Sequence, residues 1–271
     1  MKLPTHFKGI RLVVTDMDGT LLNPDHEVSG RFFELFDALS EKGVIFAAAS
    51  GRQYNSIVSK LQPIRDRIYV IAENGGLAMF GKREIVSTPL DALTKNTILD
   101  SLSASRDIHP VLCARNNAYV TGHSPDFLRI LKEYYTEFEV IENLHHFEDE
   151  VMKIAAYHFE SSEKYIYPLV TDFEQSLMVK ISGRHWVDIS HPLAHKGFAL
   201  EKIQQELGIG PEHTMVFGDY NNDLEMMSLS HYSFAMANAH PNVAKAARYS
   251  TLSNQEKGVE IILERLLQSL D

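Results

Sequence analysis

The feature that most constrains this chain is a pair of carboxylates placed just after a short apolar run. Ile10 to Val14 is rich in β-branched residues and is typical of a buried strand. Asp16 and Asp18 follow it, and Gly19 then permits a sharp turn. Buried carboxylates are costly unless they are paired, hydrogen-bonded or bound to a metal, and two so close together repel each other. The segment therefore predicts a site that contains a cation or a shared proton.

Two simpler interpretations of this segment have to be weighed. An Asp-Gly turn at a strand end is common and needs no ligand. A calcium loop of the EF-hand type also contains Asp-x-Asp, but it needs glycine at its sixth position and follows a helix. Counted from Asp16, the sixth residue is Leu21, and only Glu27 matches at the twelfth position. The calcium interpretation is therefore disfavoured, whereas the simple turn stays open on this segment alone.

Composition narrows the class of protein. A chain of 271 residues with 44% hydrophobic residues has the length for one large domain or two smaller ones. The formal net charge of −10 disfavours nucleic acid as a partner. It does not disfavour phosphorylated substrates, because a divalent metal reverses the local charge.

The same composition bears on the compartment. Cys113 is the single cysteine, which excludes an internal disulfide and fits a reducing compartment. No signal peptide is visible, and no run approaches the roughly 20 apolar residues of a membrane span. We therefore expect a cytoplasmic protein with neither a nucleic-acid nor a membrane partner, and a monomer or weak homodimer.

Strands and helices alternate at both ends of the chain. Apolar runs at residues 44–49, 68–72 and 214–217 predict buried strands. Helical patterns at 28–39 and 196–207 each run up to a glycine. This alternation predicts an α/β fold, a Rossmann-like parallel sheet with helices on both faces. A last helix, with apolar residues from Val259 to Leu270, is expected to open at a capping box formed by Ser253 and Glu256.

The pattern changes in the middle of the chain. Helical patterns there carry apolar residues over 93–102 and 127–138, the second with Ser124 as cap and Pro125 in its first turn. Short candidate strands lie at 110–113, 118–120, 151–159, 177–181 and 186–189. This mixture predicts an inserted α+β domain over residues 85–189. The core domain would then be discontinuous, with residues 1–84 and 190–271.

Several polar segments coincide with the ends of predicted parallel strands, where open sheets bind their ligands. They are Asp16 with Asp18, Ser50-Gly51-Arg52, Asn74-Gly75, and Gly218-Asp219 with Asn222 and Asp223, and Lys196 opens the helix before the last of them. Hydroxyl, amide and ammonium groups suit a phosphate, and several carboxylates suit Mg²⁺, which prefers oxygen ligands. Each segment alone has a simpler explanation, such as a loop, a solvated lysine or acids at a helix N-terminus. Their coincidence at matching strand ends favours one site.

With these motifs in this order, the chain resembles the haloacid dehalogenase superfamily of phosphohydrolases. Three further segments look like its Cof-type subfamily (subfamily IIB): Ala49-Ser50-Gly51-Arg52, Glu73-Asn74-Gly75-Gly76 and Met236-Ala237-Asn238-Ala239. The insertion fits the position of the C2B-type cap of that subfamily. One departure is Ser50, where threonine is more usual, and it keeps the hydroxyl group.

The resemblance implies a phosphatase that uses Mg²⁺ and forms an aspartyl-phosphate. Asp16 would be the nucleophile, and Asp18 would be the general acid and base, with a raised pKa. The implied ligands of Mg²⁺ are Asp16, the backbone carbonyl of Asp18, Asp219 and, directly or through water, Asp223. The implied phosphoryl contacts are Ser50 and Lys196, assisted by the Gly51 amide and Asn222, with Asn74 and Arg52 on the substrate side.

Other functions stay open on the sequence alone. A phosphomutase uses the same nucleophile but returns the phosphate to its substrate, and a non-catalytic phosphate- or metal-binding protein would not need Asp18. A receiver-like domain shares the acids, hydroxyl and lysine but does not explain the insertion. A zinc site at His191 and His195 is disfavoured, because the His-Glu-x-x-His pattern is missing. The expected substrate is a small phosphorylated metabolite, with sugar phosphates, flavin mononucleotide and pyridoxal phosphate all allowed by the resemblance.

Overall fold

The computed structural model describes residues 3–270 apart from 5, 8, 116, 123 and 136, and it leaves the side chains of residues 133 and 134 undescribed. The chain forms two compact units. One comprises Met1–Val86 and His195–Asp271, and the other comprises Ser87–Ala194. The sequence placed the boundaries at 84/85 and 189/190, and the assignment of the two units as separate domains stays a prediction.

The strands form two sheets. The first sheet begins with β1 (Leu12–Asp16), β2 (Ile45–Ala49), β3 (Tyr69–Ala72), β4 (Leu77–Phe80) and β5 (Arg83–Ser87). The second contains β6 (Ile108–Ala114), β7 (Ala118–Val120), β8 (Phe138–Val140), β9 (Val151–His158), β10 (Met178–Gly183) and β11 (Trp186–Ser190). The chain then returns to the first sheet with β12 (Thr214–Gly218), β13 (Tyr232–Ala235) and β14 (Tyr249–Ser250).

Helices connect these strands. In chain order they are α1 (Gly30–Glu41), α2 (Tyr54–Lys60), α3 (Ala92–Leu102), α4 (Pro125–Tyr134), α5 (Ser162–Tyr165), α6 (Tyr167–Val170), α7 (Lys196–Leu207), α8 (Leu224–Ser228), α9 (Pro241–Ala246) and α10 (Gly258–Ser269). Within the part of the chain that the structure describes, none of them combines the length and the apolar character that a bilayer crossing needs. The predicted bounds of α7 agree with those observed, because Gly208 ends the helix with a left-handed φ of 60°.

The first sheet has the predicted parallel core. Its strand order is β14-β13-β12-β1-β2-β3-β4-β5, and the strands from β14 to β3 each run parallel to their neighbours. On one face, Phe36 of α1 packs against Phe46 of β2 with ring centroids 4.8 Å apart. On the other face, Leu200 of α7 belongs to the same buried cluster as Val14 of β1. The predicted fold class, with helices on both faces, is confirmed.

The end of the parallel sheet differs from the prediction. The strand β4 runs antiparallel to β3, and β5 lies beside β4 at the sheet edge. The sequence did not predict this hairpin, because both strands are short and lie at the point where the alternation of strands and helices stops. Its turn at Gly81 has a φ of +57°.

The last helix begins later than predicted. The hydrogen bonds of the expected capping box do form: Ser253 N donates to Glu256 Oε2, and Glu256 N donates to Ser253 Oγ. They close a turn rather than a helix, however, because Lys257 has a left-handed φ of 58° and α10 starts only at Gly258. The assignment of this pair as the helix start is therefore wrong.

The inserted unit is a six-stranded sheet in the order β10-β11-β9-β6-β7-β8. Leu99 of α3 and Val170 of α6 pack in a buried cluster with Ile154 on one face. Phe127 of α4 packs on the other face with Tyr157. The helical pattern predicted up to residue 138 was too long, because α4 ends at Tyr134 and Phe138 begins β8. The predicted α+β character of the insertion is confirmed.

A buried lysine holds one turn of the inserted unit. Lys95 of α3 is 3% exposed, and its Nζ donates to the backbone carbonyl oxygens of Leu144, His145 and Phe147 at 3.2, 3.1 and 2.6 Å. These carbonyls belong to a short 3₁₀ turn, Leu144–His146, and the residue that follows it. The ammonium thus supplies the donor for the His145 and Phe147 carbonyl oxygens, and it adds a second donor to the Leu144 carbonyl oxygen, which also accepts from the Phe147 N–H.

We predict that Lys95→Met destabilises the protein by about 1–3 kcal/mol, because it keeps the apolar stem but leaves the carbonyl oxygens of His145 and Phe147 without a donor. The free energy of unfolding of the full chain in urea measures the effect. Lys132→Met is the matched control, because Lys132 is exposed on α4. Equal stability of the two variants would contradict the assigned role.

Candidate active site

The predicted site residues meet because of strand register. In the first sheet β1 lies between β2 and β12, with Asp16 opposite Ala49 and Thr15 opposite Phe217. The residues that follow these strands are therefore brought to one edge, where the carboxyl ends of parallel strands meet. This places Asp16 beside the loop that begins at Ser50 and the loop that begins at Gly218.

The turn after β1 requires a glycine. Gly19 has a φ of +78°, and a Cβ atom on it would lie 2.3 Å from Oδ2 of Asp219. Both the backbone conformation and the close approach therefore exclude a side chain. Thr20 Oγ1 donates to Asp219 Oδ1 at 3.1 Å, and Asn238 Nδ2 donates to the Gly19 carbonyl oxygen at 2.8 Å. The turn is thus held directly against the loop that carries Asp219.

Lys196 lies at the centre of the site. It is fully buried, and its Nζ donates to Oδ1 of Asp16 and, at 2.7 Å, to Oδ1 of Asp223. Burial by itself would lower the pKa of the ammonium, but Asp16 and Asp223 outweigh it and raise the pKa above its ordinary value. The side chain of His195 caps this end of α7 by accepting from the Phe198 N–H. The lysine is therefore a fixed, fully charged cation.

Three carboxylates cluster at this site, and two of them, Asp16 and Asp223, accept hydrogen bonds from the ammonium. Asp16, Asp219 and Asp223 each offer an oxygen, and these oxygens lie within 4.8 Å of one another. Burial raises the pKa of Asp16 well above its ordinary value, against the effect of Lys196, and Asp223 adds to the rise. Burial and the charge of Asp223 raise the pKa of Asp219 to about 6. One ammonium does not balance three carboxylates, so this all-oxygen set fits a hard divalent cation such as Mg²⁺.

The two oxygens of Asp223 already have partners. Oδ1 accepts from Lys196, and Oδ2 accepts from the backbone N–H groups of Asp219 at 2.9 Å and Tyr220 at 3.1 Å. This residue thus fixes the shape of the loop that presents Asp219. Such saturation favours indirect support of a cation, through water, over direct binding by Asp223.

Asp18 differs from the sequence-based expectation. Arg52 donates two hydrogen bonds to its carboxylate, from Nε to Oδ2 at 2.7 Å and from Nη2 to Oδ1 at 2.6 Å. Burial by itself would raise the pKa of Asp18, but the hydrogen bonds and charge of Arg52 outweigh it and hold the pKa below its ordinary value. The expected raised pKa is therefore wrong for this arrangement. The Asp18 carboxylate is also not part of the carboxylate group around Lys196, so a metal contact by its backbone carbonyl stays a prediction.

Ser50, Asn74 and Asn222 form a connected side of the site. Ser50 is 1% exposed, and its Oγ accepts from the Arg52 N–H at 3.1 Å. Its carbonyl oxygen accepts from the Asn74 N–H at 3.0 Å. Asn222 Nδ2 donates to Asn74 Oδ1 at 2.9 Å, and the Asn74 carboxamide lies against Gly51. Every residue that the sequence assigned to the site is thus joined to it by these contacts.

Some residues of this site had no predicted role. Thr20 and Asn238 stood inside recognised motifs, but only their long-range hydrogen bonds to Asp219 and Gly19 show what they hold. His26 follows the turn with a left-handed φ of 58° and lies with Nδ1 3.7 Å from Oδ1 of Asp18. No sequence pattern around His26 indicated this, because its approach depends on how the loop after β1 folds back.

Comparison with known proteins agrees with this geometry. Residues 13–263 match the model of a family described as haloacid dehalogenase-like hydrolases. A relative in Escherichia coli (strain K12), the 5-amino-6-(5-phospho-D-ribitylamino)uracil phosphatase YbjI, is 29% identical over 96% of this chain and 97% of its own. The Bacillus subtilis (strain 168) phosphatase YitU, named for the same substrate, is 25% identical over 93% of this chain and 96% of its own.

A solved structure shares the fold. The crystal structure of SMU.1108c from Streptococcus mutans UA159 has a TM-score of 0.85 and 26% identity. The match covers 96% of this chain and 99% of that one. Both the parallel core and the inserted sheet therefore fall within the matched region.

The raised pKa of Asp219 predicts how binding of a divalent cation depends on pH. Below about pH 6 this carboxyl is protonated, and a cation has to displace the proton. We expect the association constant for Mg²⁺ to rise with pH through pH 6, by up to about tenfold per pH unit for each carboxyl that has to lose a proton, which are Asp219 and Asp16. Calorimetric titration between pH 5 and pH 8 measures this.

Two variants accompany that titration. Asp219→Asn should weaken binding and flatten the pH dependence, whereas Asp66→Asn, at an exposed position, should reproduce the wild-type curve. A wild-type affinity that is constant from pH 5 to pH 8 would contradict the assignment.

Proposed function

Since the chain belongs to the haloacid dehalogenase-like hydrolases, we propose that it is a Mg²⁺-dependent phosphatase of small phosphorylated metabolites that works through an aspartyl-phosphate. The predicted resemblance to this superfamily is confirmed, and so is the enzyme class, a phosphatase of this type. The observation that carries the mechanism is the buried Lys196 ammonium, which holds Asp16 in one orientation at the edge of the sheet.

The first chemical step uses Asp16. Its free carboxylate oxygen attacks phosphorus, the bond from phosphorus to the leaving oxygen breaks, and the phosphoryl group remains on Asp16. Asp18 donates a proton to the leaving oxygen. In the second step Asp18 takes a proton from water, which attacks the phosphoryl group, releases inorganic phosphate and restores Asp16. Ser50 and Lys196 hold the phosphoryl oxygens, and the resemblance to the family adds the Gly51 amide and Asn222 as assisting groups.

A divalent cation fits the carboxylates of this site. Asp16 and Asp219 would hold it, with the backbone carbonyl of Asp18 and, through water, Asp223. When bound, Mg²⁺ supplies positive charge that offsets the negative charge developing on the transferred phosphoryl group. Lys196 supplies further positive charge on the protein side, and its burial strengthens that effect.

Arg52 controls the state of Asp18 in this proposal. The ion pair favours the carboxylate form, which suits the second step, when Asp18 acts as a base. The first step needs the acid form. We propose that the phosphate of the substrate draws Arg52 away, because guanidinium groups bind phosphate oxygens bidentately. The loss of this partner raises the pKa of Asp18 for proton donation.

The substrate class rests on the relatives and on charge. The two relatives described above are both named as 5-amino-6-(5-phospho-D-ribitylamino)uracil phosphatases, so this compound and related sugar phosphates are the first candidates. We propose that the inserted unit is a C2B-type cap domain and that it selects the leaving group. We also propose that the protein acts in the cytoplasm as a monomer or weak homodimer without nucleic-acid or membrane partners. A screen of phosphorylated metabolites for release of inorganic phosphate, with and without Mg²⁺, tests the proposed substrate class and the Mg²⁺ dependence, and it separates a hydrolase from a mutase.

Replacement of Asp16 tests the covalent step. We predict that Asp16→Asn lowers turnover of p-nitrophenyl phosphate by at least about 10³-fold, because it removes the nucleophile. It should also prevent trapping of the site by beryllofluoride, which mimics phosphoryl-aspartate. Asp25→Asn, at an exposed position, is the control and should behave like the wild type. Full activity in Asp16→Asn would remove the covalent mechanism.

Replacement of Arg52 tests the control of Asp18. Without Arg52 the pKa of Asp18 should rise, so its acid form persists to higher pH. We predict that Arg52→Met moves the alkaline limb of the profile of kcat/KM against pH upward by about one pH unit or more. Arg67→Met removes an exposed ion pair with Asp37 and should leave the profile unchanged. An alkaline limb at the wild-type position in Arg52→Met would contradict the role.

A further inference from the structure

Three consecutive residues between β3 and β4 have positive backbone φ angles: Glu73 at 49°, Asn74 at 55° and Gly75 at 104°. Residues with a side chain rarely adopt such angles, because the Cβ atom approaches the following carbonyl oxygen. Gly75 has a local reason, since a Cβ atom there would lie 2.3 Å from the His195 carbonyl oxygen. Strain of this kind persists where the surroundings enforce it, and it clusters at functional sites. The two residues before Gly75 therefore need an explanation.

Hydrogen bonds hold this turn against the loop that follows β2. The Glu73 N–H donates to the Arg52 carbonyl oxygen, and the Asn74 N–H donates to the Ser50 carbonyl oxygen, each at 3.0 Å. As a result the Asn74 carboxamide packs on Gly51. A Cβ atom on Gly51 would lie 3.0 Å from Asn74 Oδ1 and 3.1 Å from Asn74 Nδ2. The strained turn thus places the Asn74 carboxamide against the loop after β2, which is proposed to bind the phosphoryl group.

The orientation of this carboxamide is set by Asn222. Asn222 Nδ2 donates to Asn74 Oδ1 at 2.9 Å, so the carbonyl oxygen of Asn74 faces Asn222. The Asn74 Nδ2 group then points elsewhere, and no acceptor for it occurs among the residues that the structure describes. A carboxamide fixed by one hydrogen bond on its oxygen is a directed N–H donor.

We propose that Asn74 donates a hydrogen bond directly to a phosphoryl oxygen and that Asn222 acts through it as a positioning residue. This inference rests on the proposed phosphatase function and revises the role of Asn222, which the resemblance made a phosphate contact. Asparagine suits the position because it tolerates a left-handed φ better than most residues and also carries an N–H donor. Aspartate shares that tolerance but would repel a phosphate.

Four variants test this inference: Asn74→Gly, Asn222→Ala, the double variant, and Lys257→Gly. Glycine removes the Asn74 carboxamide and accepts its φ, so the thermal midpoint should stay close to that of the wild type. Lys257 is the matched control, because it also has a left-handed φ, of 58°, and is exposed at the start of α10. The readouts are kcat and KM for p-nitrophenyl phosphate and the inhibition constant of inorganic phosphate, both with Mg²⁺.

We expect Asn74→Gly to lower kcat/KM by about 10- to 100-fold and to weaken inhibition by phosphate, because a hydrogen bond to a charged group is lost. Asn222→Ala should show the same kind of loss. The kcat/KM of the double variant should agree with that of Asn74→Gly within about twofold, because Asn222 has no carboxamide left to orient once that of Asn74 is removed. Lys257→Gly should keep wild-type kinetics.

Two outcomes would overturn the inference: wild-type kinetics in Asn74→Gly, or losses that multiply in the double variant. If Asn74→Gly is unstable, Asn74→Asp serves instead, because it keeps the size and φ tolerance and replaces the donor with an oxygen. Inorganic phosphate should inhibit Asn74→Asp even more weakly than it would inhibit Asn74→Gly. An inhibition constant equal to that of the wild type would contradict the proposal. If the wild type releases no phosphate from any substrate, the proposed function is refuted instead. The role of Asn74 can then still be tested by calorimetry, which compares the affinities of the Asn74 variants and the wild type for inorganic phosphate.

Discussion

The buried ammonium of Lys196 is the interaction on which the site depends. Asp16 and Asp223 both accept hydrogen bonds from it, and each carboxylate would be costly to bury without this partner. Because Asp223 also accepts from the N–H groups at the start of its own loop, the lysine indirectly sets the position of Asp219. One cation thus orders groups from two separate strand ends. Lysine does this with a compact charge at the first position of a helix packed on the sheet.

The backbone around this centre is shaped by close approaches. Gly19 allows the first turn to lie against Asp219, and Gly75 allows the turn after β3 to lie against the start of α7. At both positions a side chain would overlap groups that belong to the site. The loops are therefore packed on one another as well as attached to the sheet. This packing fixes the distances between those polar side chains that lie on the loops and not on a strand or an α-helix.

Particular residues show why some features could be predicted and others not. The strand before Asp16 and the helix from Lys196 to Leu207 followed from local pattern, because burial and the glycine at 208 act over a few residues. The capping box at Ser253 led to a wrong prediction of where the last helix begins, because its hydrogen bonds form equally well around a single turn. The strand at residues 138–140 was missed because its apolar residues continue a helical period.

The sequence by itself determined the family, the α/β class, the inserted α+β segment and the residues that gather at the sheet edge. It could do so because parallel strands bring their carboxyl ends together wherever the connections between them are helical. Only the tertiary structure decided that Arg52 forms an ion pair with Asp18 and lowers its pKa. It also decided that both carboxylate oxygens of Asp223 accept hydrogen bonds from the protein, and that Asn222 fixes the orientation of the Asn74 carboxamide. These are contacts between residues far apart in the chain. Their geometry depends on how loops fold back and pack, which no local pattern of residue types encodes.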